Sequence, residues 1–257
     1  MIQPGLARRL LAELVGTAAL VAVVVGSGIA AQQLSPGQVG LQLLENSTAT
    51  MFGLAVLIML FGPVSGAHFN PVVSAADWLL GRRTRTGLSG RDVCGYIAVQ
   101  IIGAVAGAVL ANVMFGLAAI EVSHRPRSGA GLWIGELVAT VGLIAVIFAL
   151  ARTGRAALSA AAVAGWIGAA YWFTSSTSFA NPAVTIGRMF SDTFAGIAPG
   201  SAPGFIAAQL LGGLVGVGLV VVLYPNVPQA AAAMVPHATT ADPAPALPLS
   251  DPSRRSR

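Results

Sequence analysis

Two stretches decide how this chain is read. The first is Ser65-Gly66-Ala67-His68-Phe69-Asn70-Pro71-Val72, and the second is Ser175-Ser176-Thr177-Ser178-Phe179-Ala180-Asn181-Pro182-Ala183. In each, Asn-Pro stands between small or polar residues and an apolar run. Asn is a strong helix N-cap, and Pro is pre-shaped for the first helical position. Each stretch therefore predicts an extended loop followed by a short helix, over about 72–80 and 183–190. Neither helix reaches the roughly 20 residues that a bilayer crossing needs.

Outward from these stretches the chain repeats itself. Ala12-Glu13-Leu14-Val15-Gly16-Thr17 pairs with Gly135-Glu136-Leu137-Val138-Ala139-Thr140, at an offset of 123 residues. Phe69-Asn70-Pro71-Val72-Val73 pairs with Ala180-Asn181-Pro182-Ala183-Val184 at 111 residues, and Gly95-Tyr96-Ile97-Ala98-Val99-Gln100 pairs with Gly204-Phe205-Ile206-Ala207-Ala208-Gln209 at 109. Three matches in the same order mark two halves of common design, about 8–120 and 131–224.

Composition says where these halves reside. Of 257 residues, 55% are hydrophobic and only 9% charged, against about 25% in soluble domains. Mean hydropathy is +0.78. Such a chain cannot furnish a charged surface, which excludes a soluble globule. The pI near 10.6 does not indicate a nucleic-acid binder, because no basic face exists. One cysteine, Cys94, and three histidines exclude a disulfide framework and leave no metal site. No cofactor is expected.

Six apolar runs are long enough to span, at about 10–31, 48–64, 93–119, 131–151, 156–173 and 204–224. The first could be misread as a signal peptide; Glu13 near its start and the five later spans argue against cleavage. All 14 basic residues are arginines. Six full spans put Arg8, Arg9, Arg82, Arg83, Arg85, Arg91, Arg152, Arg155, Arg254, Arg255 and Arg257 on one side, leaving Arg125, Arg127 and Arg188 opposite. By the positive-inside rule the richer side, with both termini, is cytoplasmic. The tail 225–257 holds seven of the fifteen prolines and reads as a disordered cytoplasmic segment.

Three spans per half is an odd number, so the halves lie in the membrane with opposite orientation, as an inverted repeat. The two Asn-Pro stretches then enter from opposite sides and meet at the midplane. Non-helical backbone survives there only if packed in protein or lining a wet cavity. Two Asn amides, converging positive helix ends and a row of loop carbonyls would face one point.

These motifs resemble the paired signature loops of the aquaporin and aquaglyceroporin (major intrinsic protein) family, over about residues 8–224. The resemblance implies an all-α membrane protein of six spanning helices plus two re-entrant half-helices, with a pore in each protomer of a homotetramer in the plasma or inner membrane. It implies passive passage of small uncharged solutes, with no enzymatic activity and no nucleic-acid partner. It places Asn70, Pro71, Val72, Asn181, Pro182 and Ala183 in the pore motifs. Backbone of Gly66, Ala67, His68, Thr177 and Phe179 would line the pore, and Glu13 and Glu136 would brace the loops. A lone intramembrane acid would otherwise suggest a proton relay.

The family pattern has an arginine three residues after the second Asn, where this chain has Val184. The remaining constriction positions fall on Ser178, on Ala169 by counting back twelve from Asn181, and on Thr50 or, by an alternative alignment, Phe52. All but Phe52 are small or medium, and none is charged, which implies a wider and less polar constriction. Glycerol-conducting members carry Asp after the arginine, whereas Thr185 stands here. The match is closest to an atypical bacterial branch associated with neutral metalloid species. Arg188, one turn beyond Val184, is either a replacement charge at the outer mouth or a structural arginine at the helix end. Two other readings stand beside a channel: a secondary active transporter, which also uses inverted repeats, and a structural membrane protein with little flux.

Overall fold

The computed structural model describes residues 4–82 and 86–225. Within them all regular structure is helical. Six apolar helical segments are long enough to cross a membrane: α1 (Leu6–Leu34), α2 (Val39–Ser65), α4 (Gly90–Met114), α5 (Ala130–Arg152), α6 (Ser159–Phe173) and α8 (Ala202–Leu223), the last two lengthened by 3-10 turns that begin at Ala156 and Pro199. Two short ones, α3 (Pro71–Gly81) and α7 (Pro182–Gly187), follow the Asn-Pro pairs. The expected tail lies, beyond Pro225, outside the described residues.

Helix ends depart from the hydropathy reading in two places. α2 begins at Val39 rather than near 48. Its first turns carry Gln42, Glu45 and Asn46, which lower hydropathy without breaking helical hydrogen bonding. Gln42 Nε2 donates to the Ser35 carbonyl (2.8 Å) and Ser35 Oγ to Glu45 (2.7 Å), tying this extension to the end of α1. α4 stops at Met114, five residues before the expected 119. There the Leu117 N–H folds back onto the Asn112 carbonyl at 2.9 Å.

The halves pack alike. α1 lies most extensively against α4, and α5 against α8. Small residues permit both approaches. A Cβ on Gly103 or Gly107 would collide with the Leu14 or Ala18 carbonyl of α1. A Cβ on Gly212 would stand 2.7 Å from the Leu137 carbonyl of α5, and one on Gly216 2.8 Å from Ile144. Val21, Val25, Ala104, Ala108, Ala139 and Ile144 are fully buried between the helices. Leu11, Leu60, Ile102, Ile134, Leu214 and Val222 are exposed, as side chains facing lipid should be. Arg9, at the α1 start, is buried and paired with Asp92 of α4 at 3.0 Å.

α3 is anchored at its far end. Asp77 is buried and accepts the Leu88 N–H at 2.7 Å, latching the connection back onto the half-helix. Its Oδ1 is buried and meets no donor among the described residues. Burial pushes the carboxyl up from 3.8 to about 6, against the opposing pull of the Leu88 N–H. An acid raised in the fold binds its proton more tightly folded than unfolded. Its stabilising contribution is full below 3.8 and is lost as pH rises through about 6. The difference is worth up to roughly 3 kcal/mol. Asp77→Asn keeps an acceptor for Leu88 and removes the titration. We expect this variant to gain thermal stability relative to wild type between pH 4 and pH 8 in detergent. An equal gap at both pH values would refute the latch's pH dependence.

Candidate functional site

α3 and α7 meet end to end at their N-termini. Asn70 caps α3 by accepting the Val72 N–H (2.9 Å), and Asn181 caps α7 by accepting those of Ala183 (2.9 Å) and Val184 (3.2 Å). Each Asn then reaches across to the other loop. Asn70 Nδ2 donates to the Ala180 carbonyl at 2.8 Å, and Asn181 Nδ2 to the Phe69 carbonyl at 2.7 Å. A primary amide has two N–H donors, so these exchanged bonds leave one on each Asn. Both residues line the cavity that runs between the loops.

A buried carboxylate holds each loop. Glu13 accepts Ser65 Oγ (2.6 Å) and the His68 N–H (2.9 Å) on one oxygen, and the Phe69 N–H (2.7 Å) and Gln100 Nε2 (2.8 Å) on the other. Glu136 accepts the N–H groups of Phe179 and Ala180, both at 2.8 Å, and Gln209 Nε2 at 2.6 Å. Each glutamine also bonds a hydroxyl of its half-helix: Gln100 to Ser74 (3.0 Å) and Gln209 to Thr185 (2.9 Å). The sequence repeat is thus a repeat of hydrogen bonds.

This bracing fixes where the carbonyls point. In a trans peptide the N–H and the preceding C=O lie in one plane and point in opposite directions. N–H groups aimed at Glu13 turn the Ala67 and His68 carbonyls away from it, and those aimed at Glu136 do the same for Ser178 and Phe179. All four residues line the cavity. The backbone is strained to achieve this: φ is 51° at Ala67, 50° at Phe69, 50° at Ser178 and 49° at Ala180, a left-handed region that non-glycine residues rarely occupy.

Opposite the loops the wall is aliphatic. Leu54 and Ile58 come from α2, Leu143 and Ile147 from α5, and Val163 and Ile167 from α6. On α6 the wall residues Ser159, Val163, Ile167 and Tyr171 recur every fourth position, which places them along one helix face. The enclosed space is narrow, about 70 Å³. One side offers acceptors and amides, and the other offers hydrocarbon.

At the end away from the chain termini the cavity is bounded by Thr50, Tyr171, Ser178, Val184 and Arg188. Thr50 Oγ1 and the Tyr171 hydroxyl share a hydrogen bond at 3.3 Å. Phe52, the alternative to Thr50, is 63% exposed on the outer face of the bundle. Ala169 is likewise exposed and does not reach the cavity. Tyr171 stands in its place, because counting back from Asn181 gives the wrong helix face. Two residues turn a helix by about 200°. Thr177 falls outside the wall, whereas Gly66 lines an adjoining pocket that shares Ile58 and Ser159 with the cavity. Gly66 and Thr177 remain bonded to the preceding helix ends, through the Gly62 and Thr174 carbonyls respectively. Pro71, Val72, Pro182 and Ala183 are buried behind the Asn pair.

Arg188 is the residue that changes the expected chemistry. It is 2% exposed, its Nε donates to the Ala195 carbonyl, and its guanidinium carbon lies 3.4 Å from the Phe179 ring centroid. The constriction is therefore not devoid of charge. A guanidinium stands one turn beyond Val184, on the same face of the α7 segment. His68 also lines the cavity, with Nδ1 bonded to Ser74 Oγ at 3.1 Å.

Comparison with known proteins agrees with this geometry. The family model described as "Major intrinsic protein" matches residues 2–177. The chain belongs to the major intrinsic protein family. Within the family it is 49% identical over 207 residues to the aquaglyceroporin AqpS of Rhizobium meliloti, covering 80% of this chain and 86% of that one. It is 32% identical over 176 residues to the glycerol uptake facilitator protein of Pseudomonas aeruginosa, covering 59% and 60%. The X-ray structure of the aquaglyceroporin from Plasmodium falciparum superposes with a TM-score of 0.58 at 21% identity, covering 84% of this chain and 96% of that one. That likeness supports the family's fold, with its six spans and two half-helices.

Proposed function

We propose that the chain is a passive channel for small uncharged solutes, water and glycerol-like polyols first among them, with each protomer of a homotetramer holding its own pore. The observation that carries this reading is the two-sided cavity. A polyol can set its hydroxyls along the carbonyls of Ala67, His68, Ser178 and Phe179 and its carbons along the aliphatic stripes of α2, α5 and α6. The relatives named for glycerol support it.

Cations and protons are discouraged by the same construction. The N-terminal ends of α3 and α7 carry converging positive dipoles at the Asn pair, and Arg188 adds a fixed cation nearer one mouth. With Val184 at the position after the second motif, neutral metalloid hydroxides are a further class of solute for this pore. The arginine-rich end, which carries the termini, is assigned to the cytoplasm, and the mouth near Arg188 to the outside of a plasma or inner membrane. Passage requires no bond to be made or broken, so we assign no enzymatic role.

Stopped-flow light scattering on proteoliposomes, with water, glycerol, urea and arsenous acid as probes, tests the reading. Each flux should follow its gradient and exceed that of protein-free vesicles. Accumulation against a gradient would establish a secondary transporter, and the absence of flux would establish a structural protein.

A further inference from the structure

The mouth around Phe179 gathers positive charge with no acid paired to it. Arg188 lines the cavity and commits only its Nε, to the Ala195 carbonyl. Arg127, from the connection between α4 and α5, is half-buried and gives Nε to the Gly196 carbonyl (2.8 Å) and Nη2 to that of Phe194 (3.1 Å). The two guanidinium carbons lie 3.4 and 5.1 Å from the centroid of one ring, that of Phe179. Arg125, exposed on the same connection, stands 5.3 Å over Phe194.

Acids nearby are occupied or elsewhere: Glu136, whose charge acts on both Arg127 and Arg188, is taken by the Phe179 and Ala180 N–H groups and by Gln209. Asp192 is taken by His124, through its N–H at 2.9 Å and its ring at 3.0 Å. Among the described residues the ion pairs are Arg9–Asp92 and His124–Asp192, so neither Asp192 nor Glu121 pairs with the three arginines. Like charges in a partly desolvated site repel strongly. Burial, and after it the charges of Arg188 and Arg125, push Arg127 below the usual arginine range. A counter-ion would relieve this. Each guanidinium has five N–H donors in a planar fork that suits pairs of oxygens. One bond from Arg188 and two from Arg127 leave most of those donors uncommitted.

We propose that this mouth is a binding site for a small oxyanion, held by Arg188 and Arg127 beside Phe179 with Arg125 at its approach, and that its occupancy throttles the passage of neutral solutes. The site rests on the reading of the cavity as a solute channel. A bound ion stands where the narrow cavity opens, so binding and obstruction are one event. The anion is not carried through, because the acceptor carbonyls of Ser178 and Phe179 and the aliphatic wall beyond the mouth offer it no donors.

The test uses nitrate as the probe. Glycerol flux into proteoliposomes of the full chain is measured in sodium gluconate, whose anion is much larger than nitrate, and in sodium nitrate at the same ionic strength. We expect at least a twofold, saturable fall in nitrate, and a higher melting temperature of the detergent-solubilised protein, since a ligand of the folded state raises it. Arg127→Gln should abolish the nitrate-to-gluconate difference. Arg125→Gln, whose backbone contact to Ala198 is retained, should weaken it even where Arg127→Gln fails to fold. Equal flux and equal melting temperature in the two salts would overturn the site. A nitrate effect undiminished in both variants would place the ion elsewhere and overturn it too. Absence of glycerol flux in gluconate would instead count against the channel reading.

Discussion

Replacing Val184 by Arg is expected to cut glycerol flux at least tenfold while reducing water flux far less. A tenfold fall corresponds to about 1.4 kcal/mol on the barrier. Val184 is buried on the cavity wall with Arg188 one turn along the same segment. A second guanidinium there fills space that a polyol carbon needs and stands beside a charge already present. Water, smaller and able to bond either guanidinium, loses less. Stopped-flow measurement of both permeabilities on one vesicle preparation decides the matter. An unchanged ratio would remove Val184 from the constriction. The converse change, Arg188→Val, should shift the ratio toward the larger solute.

Glu136→Ala is expected to cost the fold itself. It strips the partners from the Phe179 and Ala180 N–H groups and from Gln209 Nε2, all of them buried. Each buried donor left unsatisfied costs about 1–3 kcal/mol. Three such losses approach the roughly 5–15 kcal/mol that separates typical folded and unfolded domains. Glu136→Gln keeps one acceptor oxygen but turns an amide N–H₂ toward a donor, and should fall between. Glu13→Ala removes the acceptor from four donors, the His68 and Phe69 N–H groups of the first loop with Ser65 of α2 and Gln100 of α4, and should be no milder. The yield of monodisperse protein and its melting temperature in detergent provide the readout. Wild-type values for both alanine variants would show that the carboxylates do not brace the loops.

What could be read from the chain alone was what repeats. Glu13 and Glu136, Asn70 and Asn181, Gln100 and Gln209 are each written twice, so pattern alone pairs them. The spacing of Asn-Pro from its apolar run also dictates a capped half-helix without reference to the rest of the fold. Tyr171 was missed because its position was counted from Asn181 through a loop, and an error of two residues lands on Ala169, on the opposite helix face. The stripe Ser159, Val163, Ile167, Tyr171 at intervals of four was present as a signal. The four-residue step from Val184 puts Arg188 on the same face, but nothing local dictates its burial. The Ala195 carbonyl and the Phe179 ring that receive it come from two different segments. The Asp77 latch has no counterpart in the second half, where position 188 follows α7 directly, and a feature present once leaves no repeat to find.

The exchanged amide bonds between Asn70 and Ala180 and between Asn181 and Phe69 have a consequence for the order in which the molecule is made. Neither loop can be completed from its own half. Asn181 is synthesised 111 residues after Asn70, which at about 5–20 residues per second is roughly 6–20 seconds later. Through that interval the first loop sits in the translocating chain with its Asn amide and Phe69 carbonyl unanswered. Solute passage therefore begins only when the second half arrives. A chain truncated before Asn181 lacks the partner loop and, with it, half of the cavity's polar wall.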